Sequence, residues 1–189
     1  VAFSPAQTGA SSAVSFNVTG SATQGNTVRV YANGSAMSSQ QLNAGTGFNI
    51  AVTLPSTSGN YVITVKQENA YGILSGAATV GTYVLDVSGP TITIVTAISP
   101  TKVGGASSSV NSASFVFKCS ETCTYTVKDG STTLVSGSAA ADTNTSATIN
   151  SASMPTGDGI HTLVLTVYDA ALNSSTQNVS LTVDTLAPS

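Results

Sequence analysis

Only a handful of side chains in this 189-residue sequence can do covalent, acid-base or metal chemistry. The run Cys119-Ser120-Glu121-Thr122-Cys123 holds both cysteines, at a spacing open to metals, thiols and disulfides alike. A structural zinc takes four Cys or His ligands, and the chain has one further candidate, its single histidine, His161. A local disulfide across a strand-to-strand turn is therefore the better reading, with two free thiols as the alternative. Such a bond implies an oxidising compartment. His161 is in phase with Leu163 and Leu165, which turns it inward at a domain end as a structural corner. Nucleophilic catalysis needs a base within hydrogen-bond reach of an activated Ser or Cys, and no such pairing is legible. Asp158 and Asp169 flank one extended run, which separates their carboxylates by roughly 30 Å. Gly104-Gly105 continues into Ala106-Ser107 and lacks the Lys-Ser/Thr of a phosphate loop. The chain reads as non-enzymatic.

Binding chemistry is equally sparse. Tyr31 and Tyr168 fall at outward positions of alternating runs, and an aromatic face with a polar tip can stack on a sugar ring. They are the candidate ligand-binding residues, although a carbohydrate module usually adds Trp and this sequence has none. Lys118, Asn178 and Glu121 supply the residue types of an isopeptide crosslink. Asn-x-Ser/Thr triplets occur at Asn17, Asn33, Asn144, Asn173 and Asn178, about as often as chance provides where Ser and Thr approach a third of the residues.

Charged residues make up 7% of the chain and the net charge is −3, against roughly 25% charged residues in ordinary soluble proteins. Hydroxyls rather than ions wet this surface. No basic patch exists to meet phosphate or an anionic membrane, and no apolar run reaches the 18 or so residues of a membrane span. Nucleic acid and membrane insertion drop out as partners.

The elements that must position these residues are written twice. Leu54-Pro55-Ser56-Thr57-Ser58-Gly59-Asn60-Tyr61 is answered by Met154-Pro155-Thr156-Gly157-Asp158-Gly159-Ile160-His161, and Leu85-Asp86-Val87-Ser88-Gly89-Pro90 by Val183-Asp184-Thr185-Leu186-Ala187-Pro188. A repeat of roughly a hundred residues matches a small domain rather than a solenoid unit. The expected division is 1–89 and 90–189. Val1 follows Ser189 in phase, as Thr91 follows Pro90, so the sequence reads as a stretch cut in register from a longer array.

Within each copy, apolar residues alternate with polar ones. Phe16 and Val18, Val28 and Val30, Phe48 through Leu54, Tyr61 through Val65 and Tyr83 through Val87 mark the first copy; Ile92/Ile94, Phe115/Phe117, Tyr125/Val127, a weaker stretch near Ile149, Leu163 through Val167 and Val179 through Val183 mark the second. Period-two alternation gives each strand one wet and one buried face. About seven such strands per copy predict an all-β chain of two immunoglobulin-like sandwiches. Asn33-Gly34 and Asp129-Gly130 predict tight turns between strands. Gly59-Asn60-Tyr61-Val62-Ile63 fits the tyrosine corner that opens strand F of such folds, with Ile63 at the inward core position. In the second copy His161 replaces the tyrosine and Leu163 takes the core place.

The run from His161 through Asp169-Ala170-Ala171-Leu172-Asn173, ending in Val183-Asp184-Thr185-Leu186-Ala187-Pro188, resembles tandem bacterial immunoglobulin-like (Big-type) repeats of large secreted adhesins and cell-surface proteins. In the first copy the pattern has drifted to Asn69-Ala70-Tyr71-Gly72-Ile73. The resemblance implies a structural, adhesion-related role outside the cell: a semi-rigid spacer presenting a binding element, whose partners are neighbouring repeats of the same chain and, through another domain, a surface glycan or protein. The rival is a carbohydrate- or protein-binding module within an adhesin or secreted enzyme. Some family members bind Ca²⁺ at linker acids, which nominates Asp86 and Asp184, with Asp169 as helper. Calcium takes six to eight oxygen ligands, and eight acids in the whole chain are thin provision. The three read first as loop-forming residues, with no cofactor required.

Overall fold

The computed structural model describes residues 1–104 and 108–186. Gly105 of the diglycine and Pro188 after the last strand lie outside the described residues. Contacts divide the chain into two compact units, Val1–Ser88 and Gly89–Ser189.

Unit 1 contains β1 (Ala2–Ser4), β2 (Ser15–Ser21), β3 (Thr27–Ala32), β4 (Ser35–Gln41), β5 (Gly47–Thr53), β6 (Gly59–Glu68) and β7 (Ala78–Leu85). They form a three-stranded sheet in the order β1-β2-β5 and a four-stranded sheet in the order β4-β3-β6-β7, each antiparallel. Alternation decides which side of each strand meets the other sheet. Phe16 and Val18 of β2, Phe48, Ile50 and Val52 of β5, Val28 and Val30 of β3, and Ile63 and Val65 of β6 are buried in one cluster. Their neighbours Asn49, Ala51 and Thr53 stay exposed. Tyr83 of β7 stacks on Phe16 with ring centroids 4.1 Å apart, and its hydroxyl donates to the Ala13 carbonyl at 2.8 Å. Tyr83→Phe keeps the stack and removes that donor, so unit 1 should lose about 0.5–1.5 kcal/mol in a chemical denaturation series.

Unit 2 contains β8 (Ile92–Ser99), β9 (Lys102–Val103), β10 (Ala113–Cys119), β11 (Cys123–Asp129), β12 (Thr132–Ala139), β13 (Thr145–Ile149), β14 (Gly159–Tyr168) and β15 (Ser174–Val183), with a short 3-10 turn at Ser151–Ser153. One sheet runs β13-β10-β8 and the other β12-β11-β14-β15-β9. The β9–β15 pair is parallel, because the first strand of this copy crosses from one sheet to the other at Ser99-Pro100. Unit 1 makes the same crossing more briefly: Ser4-Pro5 follows β1, and Ser11 then forms a parallel bridge to Leu85. Both Ser-Pro peptides are cis. Phe115, Phe117, Tyr125, Val127, Leu163, Leu165, Val167 and Leu181 head the second core. The core has no Trp; Cys119 and Cys123 belong to it at the β10–β11 corner, and apolar interdigitation packs the two sheets together.

The predicted tight turns form. Asn33 and Gly34 both adopt positive φ, 47° and 82°, the backbone that a two-residue hairpin requires and that Asn and Gly tolerate. Gly130 does the same at 55° between β11 and β12. Four strands go beyond the sequence reading, the short β1 and β9 and the longer β4 and β12, each at the edge of its sheet. Lys118 lies on β10 between buried neighbours and Asn178 is exposed on β15, in opposite sheets. The Lys and Asn of the isopeptide trio are therefore on different sheets.

Candidate functional site

The residues able to do chemistry gather at the ends of the sandwiches, where chain reversals leave polar backbone to be satisfied. At the start of β6, the Tyr61 hydroxyl donates to the Thr57 carbonyl at 2.9 Å, closing the corner that leads to Ile63, which is fully buried. At the start of β14 an imidazole does this work. Nε2 of His161 lies 2.9 Å from the Gly157 carbonyl, four residues back as in the first copy, and Nδ1 lies 2.7 Å from Oδ2 of Asp129. Two residues on, Leu163 is fully buried. The His161 side chain is 15% exposed. Gly157 and then Asp129 hold its pKa above the ordinary histidine value, against an opposing push from burial. Both ring nitrogens thus face oxygen acceptors, and the arrangement orients the loop around Gly157. Nearby, Asp158 accepts from the backbone N and then the hydroxyl of Thr185, which lowers its pKa below the usual carboxylate value.

Cys119 and Cys123 are bonded, with Cα atoms 6.6 Å apart. The bridge joins the last residue of β10 to the first of β11, and so ties one sheet to the other across a tight corner. Both residues are buried.

Each candidate calcium acid has hydrogen-bond partners of its own. Asp86 accepts from the backbone N of Ser88 and from the Ser58 hydroxyl, both at 3.2 Å. Asp184 accepts from Leu186 N at 3.3 Å and pairs with Lys102 at 3.7 Å. Asp169 is 95% buried, being 5% exposed. One of its oxygens accepts from Asn173 N at 2.9 Å and the other from Asn173 Nδ2 at 2.8 Å. Asn69 builds the corresponding loop of unit 1 through its own Oδ1, which accepts from Tyr71 N and Ile73 N at 3.0 Å each. This shared geometry explains why Asp and Asn interchange between the copies: both offer the oxygen that a tight loop needs. Within unit 2, Glu121 brings a carboxylate oxygen within 4.8 Å of one on Asp169. Asp169→Ala would leave loop donors without acceptors, and unit 2 should lose about 1–3 kcal/mol in calorimetry whether or not calcium is added.

The two tyrosines belong to different units. Tyr31 sits on β3 of unit 1 with the Lys66 ammonium 5.3 Å from its ring centroid, so a cation already occupies one face. Tyr168 is the last residue of β14 in unit 2 and is 36% exposed.

The comparison that decides the family falls on unit 2. A family model described as bacterial Ig-like domain (Big_13) matches residues 91–185, from just before β8 to just after β15. The chain belongs to the bacterial Ig-like domain family. Among curated proteins, none matches it. Solved structures similar to this Ig-like chain include the fibronectin(III)-like modules of Clostridium thermocellum CbhA, at 16% identity over 93% of this chain and 87% of that one, with a TM-score of 0.48. A tetra-tandem repeat from the extending region of a large adhesion protein is 15% identical over 93% of this chain and 47% of its own, with a TM-score of 0.38. The Yersinia pseudotuberculosis adhesin InvE is 13% identical over 92% and 55%, with a TM-score of 0.33. The chain thus spans about half the length of these last two.

Two residues of this bacterial Ig-like chain matter more than their sequence signal suggested. Gln67, a polar residue near the end of β6, accepts through Oε1 from Thr23 N at 2.9 Å and Asn26 Nδ2 at 3.2 Å, and so ties the β2–β3 corner that the disulfide ties in unit 2. Asp129 had a turn signal only, from the Gly that follows it; its partnership with His161 joins residues 32 apart in sequence. No helix among the described residues is long and apolar enough to cross a membrane.

Proposed function

We propose that this chain is a non-enzymatic structural and adhesion module: two Ig-like repeats, 1–89 and 90–189, of a longer bacterial cell-surface or fibre protein, working outside the cell as a spacer that presents a binding element. One observation carries the reading. In each unit the chain comes in at one end of the sandwich and leaves at the other. Val1 lines a hollow with Val65, Gln67 and Ala78 at the far end of β6, whereas β7 finishes with Leu85 opposite Gly59, at the near end. In unit 2, Gly89 lies against Ser174, where β15 begins, and β15 finishes with Val183 opposite Gly159. A domain built this way can be repeated along a chain without doubling back, which is what a spacer needs.

Supporting points are chemical. The cystine suits an oxidising compartment outside the cytoplasm. A surface with few ions and many hydroxyls stays hydrated without attracting charged partners over long range. Family membership adds neighbouring repeats as the natural partners. The second reading is a carbohydrate- or protein-binding module, and the exposed ring of Tyr168 is what favours it. A glycan array separates the two. The spacer reading expects no retained glycan; retention that disappears in Tyr168→Ala or Tyr31→Ala would assign binding to these domains. Calcium has its own test. Calorimetric uptake at micromolar Ca²⁺ that is lost in Asp169→Asn would make the Glu121–Asp169 pair part of an ion site, and absence of uptake leaves Asp169 to its loop.

A further inference from the structure

The corner of unit 2 differs from that of unit 1 in one chemical respect. A tyrosine hydroxyl closes the first with a single donated hydrogen bond. His161 is instead held between two acceptors, the Gly157 carbonyl at Nε2 and the Asp129 carboxylate at Nδ1. A carbonyl never donates, and an ionised carboxylate does not either. Neutral imidazole has one N–H, so one of these two contacts would set a nitrogen lone pair against an oxygen lone pair. Imidazolium has two N–H groups and satisfies both.

We propose that His161 is a proton-operated latch: when doubly protonated it clamps the loop 150–158 to the end of β11, and when it loses a proton one of the two ties is released. The latch lies between elements that otherwise part here. Asp129 forms one side of a cavity of about 300 Å³, and Met154, Pro155 and Thr156 form another, with Thr132 and Leu134 on β12 completing it. Releasing a tie frees the cavity wall to shift. The surrounding charges leave the assignment to His161 alone. β11 contributes Asp129, while Lys128 beside it is exposed on the opposite side of the strand. β15 places Leu181 opposite His161, and its nearest acid, Asp184, is paired with Lys102 of β9. The loop carries Asp158, bound to Thr185. β12 contributes Thr132 and Thr133 beside Asp129.

The sign follows from the two acceptors. The folded state favours the charged ring, principally through Gly157 and Asp129. Its stabilisation is then fully present below the unfolded histidine value of about 6.5 and is lost as pH rises through the folded value. Asp158 has the opposite sign, since a lowered carboxyl loses its contribution as the solution becomes acidic, and its window lies near pH 4 and below. The two do not overlap.

His161 is the only histidine, so its imidazole resonances need no assignment. The experiment is a ¹⁵N-histidine NMR titration of the whole chain, native and in concentrated urea, with Asp129→Asn beside it. The proposal expects a native midpoint above the urea midpoint, both ring nitrogens protonated on the acid side, and a lower midpoint in Asp129→Asn. A native midpoint equal to or below that in urea overturns it, as does a midpoint that Asp129→Asn leaves unmoved. His161→Tyr adds a second readout. It restores the unit 1 type of corner, and the melting of unit 2 should then lose the pH dependence that sets in above the unfolded histidine value of about 6.5. If that variant fails to fold, the native titration still decides.

Discussion

Phe117→Ala lowers the stability of unit 2 by about 3–5 kcal/mol and leaves the unfolding of unit 1 where it was. Phe117 is fully buried at the centre of β10. Its ring meets Tyr125 edge-on at 5.0 Å and Phe115 at 6.1 Å, so truncation removes aromatic contacts from both sheets and leaves a cavity that rigid strands cannot fill. The locality is the more informative half of the result. Phe117 belongs to a cluster whose members run from Ile98 to Val183, while the cluster of unit 1 runs from Phe16 to Leu85. A domain of this size shifts its midpoint by roughly 4–8 °C per kcal/mol, so one calorimetric transition should fall by more than 10 °C while the other stays. Ile63→Ala should do the reverse, at about 2–5 kcal/mol.

Replacing both cysteines, Cys119→Ala with Cys123→Ala, should cost unit 2 about 2 kcal/mol, the loop-closure value for so short a ring. The bridge closes only five residues but joins strands of opposite sheets. Its loss lets the β10–β11 corner open from the three-stranded sheet. Unit 1 already stands without such a bridge, because Gln67 binds Thr23 and Asn26 at the same corner. Denaturation of the double variant, monitored through Tyr125 in unit 2, measures the effect, and an unchanged midpoint would show that hydrogen bonds alone suffice in both units.

Period-two alternation made the buried strands legible. Every second residue of Phe48-Asn49-Ile50-Ala51-Val52 and of Leu163-Val164-Leu165-Thr166-Val167 is apolar because each strand has one face on the other sheet, and the structure buries those residues. The edge strands escaped the same test. Ser35-Ala36-Met37-Ser38-Ser39-Gln40-Gln41 pairs with β3 along one side only and buries none of its residues fully, so packing places no periodic demand on its side chains. β12 is hidden for a related reason, with just Leu134 and Ala139 buried in Thr132–Ala139. The corner residues were visible because Tyr61 and His161 occupy the same place in a repeated phrase. What the phrase could not contain was Asp129, since a contact between β11 and β14 depends on strand register, and register is a property of the folded sheet. The disulfide was legible for the opposite reason: both partners stand within one turn.

Mechanical unfolding of the single 189-residue chain tests the central claim most directly. Two sandwiches, each closed around its own apolar core, should give two separate unfolding events, and Phe117→Ala should weaken one of them alone. A single event that releases the whole chain at once would contradict the account.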